Sequence, residues 1–148
     1  MNKSYTKIIA SLTLGAVAFG ACAGAAVAGE IAVIVNPKNS SASLTADQVE
    51  QVFLGKTTSL PGGGNAVPVD QSDGSAIRDD FYQKATGKSN AQVKAIWSRL
   101  IFSGKSTPPK ALGSSDEVKK LVASDPNAIG YVEKSAVDAS VKSVLTLP

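Results

Sequence analysis

The apolar positions change period several times along the chain. Glu30 to Asn36 (EIAVIVN) is an unbroken run of β-branched and small apolar residues closed by Pro37, which predicts a buried strand. After a polar loop, Lys38 to Ser43, the spacing becomes helical. Val49, Val52 and Phe53 fall on one face, Thr45 and Gln48 stand at capping-box spacing ahead of them, and Gly55 marks the stop. Thr57 to Ala66 holds Pro61-Gly62-Gly63-Gly64-Asn65, a strong loop signal. Val67 to Asp70 reads as a short strand whose Pro68 places it at an end or an edge. Ser75 to Ala85 reads as a helix closed near Gly87.

Ser89 and Gln92 form a second box. Val93, Ile96, Trp97, Leu100 and Ile101 then recur at spacings of three and four, a core-facing stripe in which Trp97 packs. Gly104 to Gly113, with Pro108-Pro109, reads as a loop. Ser114 and Glu117 make a third box, opening a helix to about Ala123. Asp125-Pro126-Asn127 is a turn, Ala128 to Val132 a strand, Ser135 to Asp138 a short turn, and Val141 to Leu147 a final strand. Strands alternating with helices predict an α/β sandwich.

The first residues follow another pattern. Lys3 and Lys7 precede the apolar run Ile8 to Ala21, which is short for a membrane span of about 20 residues. Ala26-Val27-Ala28 is a small-x-small site. Residues 1–28 therefore read as a signal peptide cut before Gly29, leaving 29–148 as one domain in the periplasm or outside the cell. Phe19-Gly20-Ala21-Cys22 also resembles a degraded lipobox, which makes lipid anchoring through Cys22 the lesser alternative.

Composition then removes whole classes of function. Without Lys3 and Lys7 there are 13 basic residues against 12 acidic, a net charge of +1. The Lys and Arg are scattered along the sequence, so no nucleic-acid partner is expected. There is no His, and Cys22 is the one Cys. That excludes His/Cys zinc sites, Ser-His-Asp triads and Cys-His dyads, and beyond Cys22 it leaves no disulfide. Asp70, Asp73, Asp79 and Asp80 form a local acidic cluster. Acidic residues at the start of a helix account for it better than metal or acid–base chemistry, and no nucleophile–base pair stands out. No enzyme, metal or cofactor is expected.

Ser72-Asp73-Gly74-Ser75 lies between a strand and a helix. The first turn of a helix leaves backbone N–H groups without partners, and those donors favour an anion. Gly74 allows close approach, Ser72 and Ser75 add hydroxyls, and Arg78 offers a planar fork. Asp73 would accept the proton of a protonated oxyanion. The competing reading is plain capping by Ser72 or Asp73, and the residues taken alone favour it.

The order and spacing of three segments shift that balance. Ser43 to Lys56 (SLTADQVEQVFLGK), Ser72 to Tyr82 (SDGSAIRDDFY) and Ala128 to Val132 (AIGYV), with the turn and helix of Gly113 to Val122, together resemble the second lobe of phosphate-type periplasmic substrate-binding proteins of ABC transporters. The likeness runs from about Ile31 to Leu147, with Ile31 to Asn36 similar to the family's hinge strand. It implies a periplasmic-binding-protein-like (type II) single-lobe sandwich, a mixed sheet flanked by helices. The family's pattern Arg-x-Asp-Gly-Ser-Gly-Thr is met by Gln71-Ser72-Asp73-Gly74-Ser75-Ala76-Ile77. Asp73, Gly74 and Ser75 match; Gln71 replaces the ligand Arg, and Ala76 and Ile77 replace Gly-Thr.

The resemblance implies an exported, non-catalytic solute-binding protein that holds phosphate or another oxyanion through Ser72, Asp73, Gly74, Ser75 and Arg78. An ABC permease or envelope protein is the implied partner, and a homo-oligomer would supply a second wall. One lobe offers an open half-site where two would enclose the ligand. The alternative is a structural or adaptor module on this fold with a decayed site, acting through self-association or an envelope partner; Gln71, Ala76 and Ile77 favour it.

Overall fold

The computed structural model describes residues 29–62 and 64–148, so the expected signal peptide and Cys22 lie outside the described residues. Five strands form one mixed sheet in the order β3-β2-β4-β1-β5. They are β1 (Ile31–Val35), β2 (Val67–Gln71), β3 (Lys110–Leu112), β4 (Ala128–Glu133) and β5 (Lys142–Leu147). β2 runs parallel to β3 and β4, whereas β1 runs antiparallel to both β4 and β5. The helices are α1 (Ala46–Phe53), α2 (Ala76–Thr86), α3 (Asn90–Phe102) and α4 (Ser115–Ser124).

Side-chain alternation along the strands divides the core in two. Ile31, Val33 and Val35 of β1 face one layer with Ile129 and Tyr131 of β4, and Ala32 and Ile34 face the other with Ala128 and Val132. The first layer is covered by Val49, Val52 and Phe53 of α1, Phe81 and Tyr82 of α2, and Val93 and Trp97 of α3. The second is covered by Val118 and Val122 of α4. The expected α/β sandwich with helices on both faces is therefore the observed architecture.

Aromatic rings hold the thicker layer. Phe81 stacks on Tyr131 with ring centres 3.8 Å apart, and Phe53 meets Phe81 edge-on at 4.8 Å. Trp97 is buried, and its indole N–H donates to the Phe53 carbonyl at 3.1 Å, tying α3 to the end of α1. In the thinner layer, Gly130 lets α4 lie against β4. A Cβ there would stand 2.6 Å from a Val118 methyl.

The capping boxes at Thr45 and Ser89 are made in both directions. The third is half made. Ser114 accepts from the Glu117 amide, but the Glu117 carboxylate accepts from the Gly113 amide at 2.8 Å, one residue before the cap. Two further expectations change and a third is narrowed. The 104–113 segment contains β3, paired to β2 over Val69–Gln71. Ile101 is half exposed and leaves the core stripe. Of the end or edge expected for Pro68, the structure has the end: Pro68 sits near the start of β2, where it pairs with Ile129, and β2 is an interior strand.

Candidate functional site

β2 delivers the chain to the start of α2 through a turn at Ser72-Asp73-Gly74. Gly74 takes φ +84°, the left-handed region that glycine tolerates. Ser75 is the N-cap of α2, with an extended backbone, and its hydroxyl makes no capping bond. The first amides of α2 have no intrahelical acceptor by geometry.

α4 begins close by. A pocket of about 430 Å³ is lined by Gln71, Ser75, Ala76 and Ile77 on one side and by Ser114, Ser115, Asp116 and Glu133 on the other. Two helix N-termini thus open into one cavity, and each favours negative charge there. Gln71 sets its floor. Its side-chain amide donates to Ser115 Oγ at 3.0 Å and to the Tyr131 carbonyl at 3.2 Å, and the Ser115 hydroxyl in turn donates to Glu133. Among the described residues the lining contains two carboxylates, Asp116 and Glu133, and no Lys or Arg.

The nearest guanidinium points elsewhere. Arg78 is buried in α2, and its Nε donates to Asp70 Oδ2 at 3.2 Å. Its Nη1 donates to Asn90 and stands 3.6 Å from Asp73 Oδ1. Asp70 also accepts from the Tyr82 hydroxyl at 2.8 Å, the Tyr131 hydroxyl and the Gln71 amide at 2.8 Å. Burial, and then the Asp70 carboxylate, push both tyrosine hydroxyls above their ordinary pKa. Asp73 bonds Lys94 at 2.5 Å and the Asn90 amide at 2.8 Å. Those hydrogen bonds, Lys94 first, lower its pKa to about 2.

The sequence-predicted residues therefore divide between two cavities. Ser75 lines the pocket between the α2 and α4 N-termini. Asp73 and Arg78 line a separate cleft of about 330 Å³ walled by Trp97, Pro108 and Pro109, and Gln71 borders both. Ser72 donates its hydroxyl to the Leu112 carbonyl at 3.1 Å and fastens the turn to β3. Neither Ser72 nor Asp73 caps α2, so the plain-capping reading of this segment is not what the chain adopts. Sequence reasoning missed Ser115 and Glu133, which come from α4 and the end of β4. The Ser114-x-x-Glu117 spacing marked the α4 terminus, but nothing local showed that it faces α2. Among the described residues, no group of three or more acidic or other ligating side chains is placed to hold a metal ion.

No family model matches the chain. Solved structures do. A putative phosphate ABC transporter substrate-binding protein with bound phosphate from Clostridium perfringens superposes with a TM-score of 0.64 and 29% identity over 79% of this chain and 45% of that one. An ABC-type phosphate transport receptor from Vibrio cholerae gives a TM-score of 0.61 and 22% identity over 79% of this chain and 46% of that one. PstS from Borrelia burgdorferi gives 0.57 and 12% over 80% and 47%. The chain spans under half the length of each of these proteins. It has the periplasmic-binding-protein-like fold, and its likeness to phosphate-type substrate-binding proteins, in a short form, is borne out.

Proposed function

We propose that residues 29–148 are a non-catalytic solute-binding domain that takes phosphate, or an oxyanion like it, in the pocket between the N-termini of α2 and α4. The observation that carries this is the convergence of two helix N-termini on one cavity beside an uncapped Ser75 hydroxyl. Ser75 and the amides following Gly74 make contact with the anion. Ser72, Asp73 and Arg78 hold the turn in place through Leu112, Lys94 and Asp70. The likeness to a receptor that carries bound phosphate supports the ligand class. The pattern of residues 1–28 supports export as part of this reading, and the receptor likeness supports delivery to an ABC permease or another envelope protein.

Titration of phosphate into the exported protein by calorimetry, with sulfate as control, tests this. Saturable heat is expected, weakened about tenfold or more in Ser75→Ala by loss of a hydrogen bond to a charged group. Absence of heat from folded protein at millimolar phosphate would remove phosphate as the ligand.

A second reading has its own support. Asp116 and Glu133 line the pocket and, among the described residues, no cation lines it to offset them, as in a site that has lost its anion. The domain then works as an adaptor, through a second copy or an envelope protein. A mass above that of the monomer in solution, unchanged by phosphate, is the result this reading expects.

A further inference from the structure

α3 ends in an apolar tip that the fold does not cover. Phe102 is 96% exposed and Ile101 is 52% exposed, in the last turn of the helix. Most large apolar side chains of the described residues are buried or half-buried, so a nearly naked phenylalanine is an exception that packing does not explain. The helix closes just beyond it. Gly104 takes φ +67°, and the Lys105 amide reaches back to the Leu100 carbonyl at 3.1 Å. That turn fixes Phe102 on a defined end of the molecule. Phe102 lines none of the cavities described above.

Charge is distributed unevenly around this tip. Between Phe81 and Ser115 the sequence holds six Lys and Arg and no Asp or Glu. Three of those cations, Arg99, Lys105 and Lys110, are exposed and form no salt bridge among the described residues, whereas Lys88 and Lys94 are paired with Glu50 and Asp73. Arg99 lies three residues before Phe102 on the helix, hence on the same side. Lys105 follows the tip directly, and Lys110 opens the edge strand β3.

We infer that the α3 tip docks on an anionic phospholipid surface, with Phe102 and Ile101 entering the interface and Arg99, Lys105 and Lys110 on the headgroups. Such a surface supplies both chemistries that the tip presents, negative charge and hydrocarbon, and requires no matching shape. A folded protein partner would instead need a cavity built for Phe102 and carboxylates set against three cations. The acid-free stretch ensures that no carboxylate of α3 or the following loop opposes the approach. The inference does not depend on the oxyanion pocket, which lies at the other helix termini.

Vesicle co-sedimentation of the exported protein tests it, using phosphatidylcholine alone and phosphatidylcholine mixed with phosphatidylglycerol. Every variant carries the same N-terminus, so differences between variants report the tip. Binding is expected only with phosphatidylglycerol, and is lost at high salt. It should fall roughly fivefold for each of Arg99→Gln and Lys105→Gln. Phe102→Ser should weaken it, and Phe102→Trp should retain it with a blue shift of the new indole's emission. All three side chains are exposed, so the four variants should fold, as circular dichroism would verify. Equal binding to both vesicle types, binding unchanged in Phe102→Ser, or no binding to either would each overturn the inference; the last would assign the tip to a protein partner.

Discussion

Asp70 shows how a single residue governs the turn that carries the candidate site. It is 5% exposed and accepts from two tyrosine hydroxyls, a guanidinium and a backbone amide. Removing it in Asp70→Ala leaves Arg78, Tyr82 and Tyr131 buried without their acceptor. Loss of one partner of a buried pair costs about 3–5 kcal/mol, so denaturant unfolding of this variant should show a drop of that size. The tyrosines make a second prediction with a definite sign. Burial and the Asp70 carboxylate raise their pKa in the fold, whereas in the unfolded chain they ionise near 10.0. The folded state therefore holds protons that the unfolded state releases, and stability falls as pH rises past 10. Phenolate absorbance from Tyr82 and Tyr131 should appear together with loss of structure, not before it. None of this was legible from the sequence. Asp70 read as part of an acidic cluster with Asp73, Asp79 and Asp80, and its eight-residue separation from Arg78 crosses a strand, a turn and a helix start. Local spacing rules do not reach that far.

At the scale of the elements, local signals and long-range ones separate cleanly. The boxes at Thr45-Gln48 and Ser89-Gln92 depend on four consecutive residues, and both form as the sequence predicts. The alternation of β1 and β4 between two apolar layers follows from their continuous apolar runs. β3 was not legible, because Lys110-Ala111-Leu112 is too short to show a period and exists through its pairing with β2. The end of the α3 stripe failed for a related reason: periodicity predicts which residues share a face, not how far the neighbouring layer extends. Gly130 is a clear test of element packing. Its Cβ would meet Val118 at 2.6 Å and Val122 at 3.3 Å, side chains that are themselves enclosed. Gly130→Ala should force α4 away from β4 and cost about 1–3 kcal/mol, measured by thermal or denaturant unfolding. Because α4 also carries Ser115 and Asp116 into the candidate pocket, the same variant should alter phosphate heats, provided that pocket is the site.

On the proposed reading, the molecule as a whole would present one wall of a binding site. The segment matching the receptors covers less than half of each, and the pocket between α2 and α4 is lined by residues of both helix starts and of the end of β4. An anion there would gain from two helix termini, yet would face Glu133 and Asp116 across the same cavity. The balance among these effects decides whether the fold still binds. At roughly 4 Å in a water-like medium, one carboxylate opposes a unit negative charge by about 1 kcal/mol. Glu133→Gln keeps an acceptor for the Ser115 hydroxyl and removes that repulsion. It should therefore strengthen binding of both phosphate and sulfate by about fivefold, read by calorimetry at low ionic strength. A different pattern would carry different chemistry. If Glu133→Gln weakens phosphate and strengthens sulfate, the carboxylate is accepting the proton that phosphate alone brings, and the pocket selects protonated oxyanions. If neither anion responds, the two helix termini do not act together on a ligand, and the adaptor reading gains the support that the pocket loses.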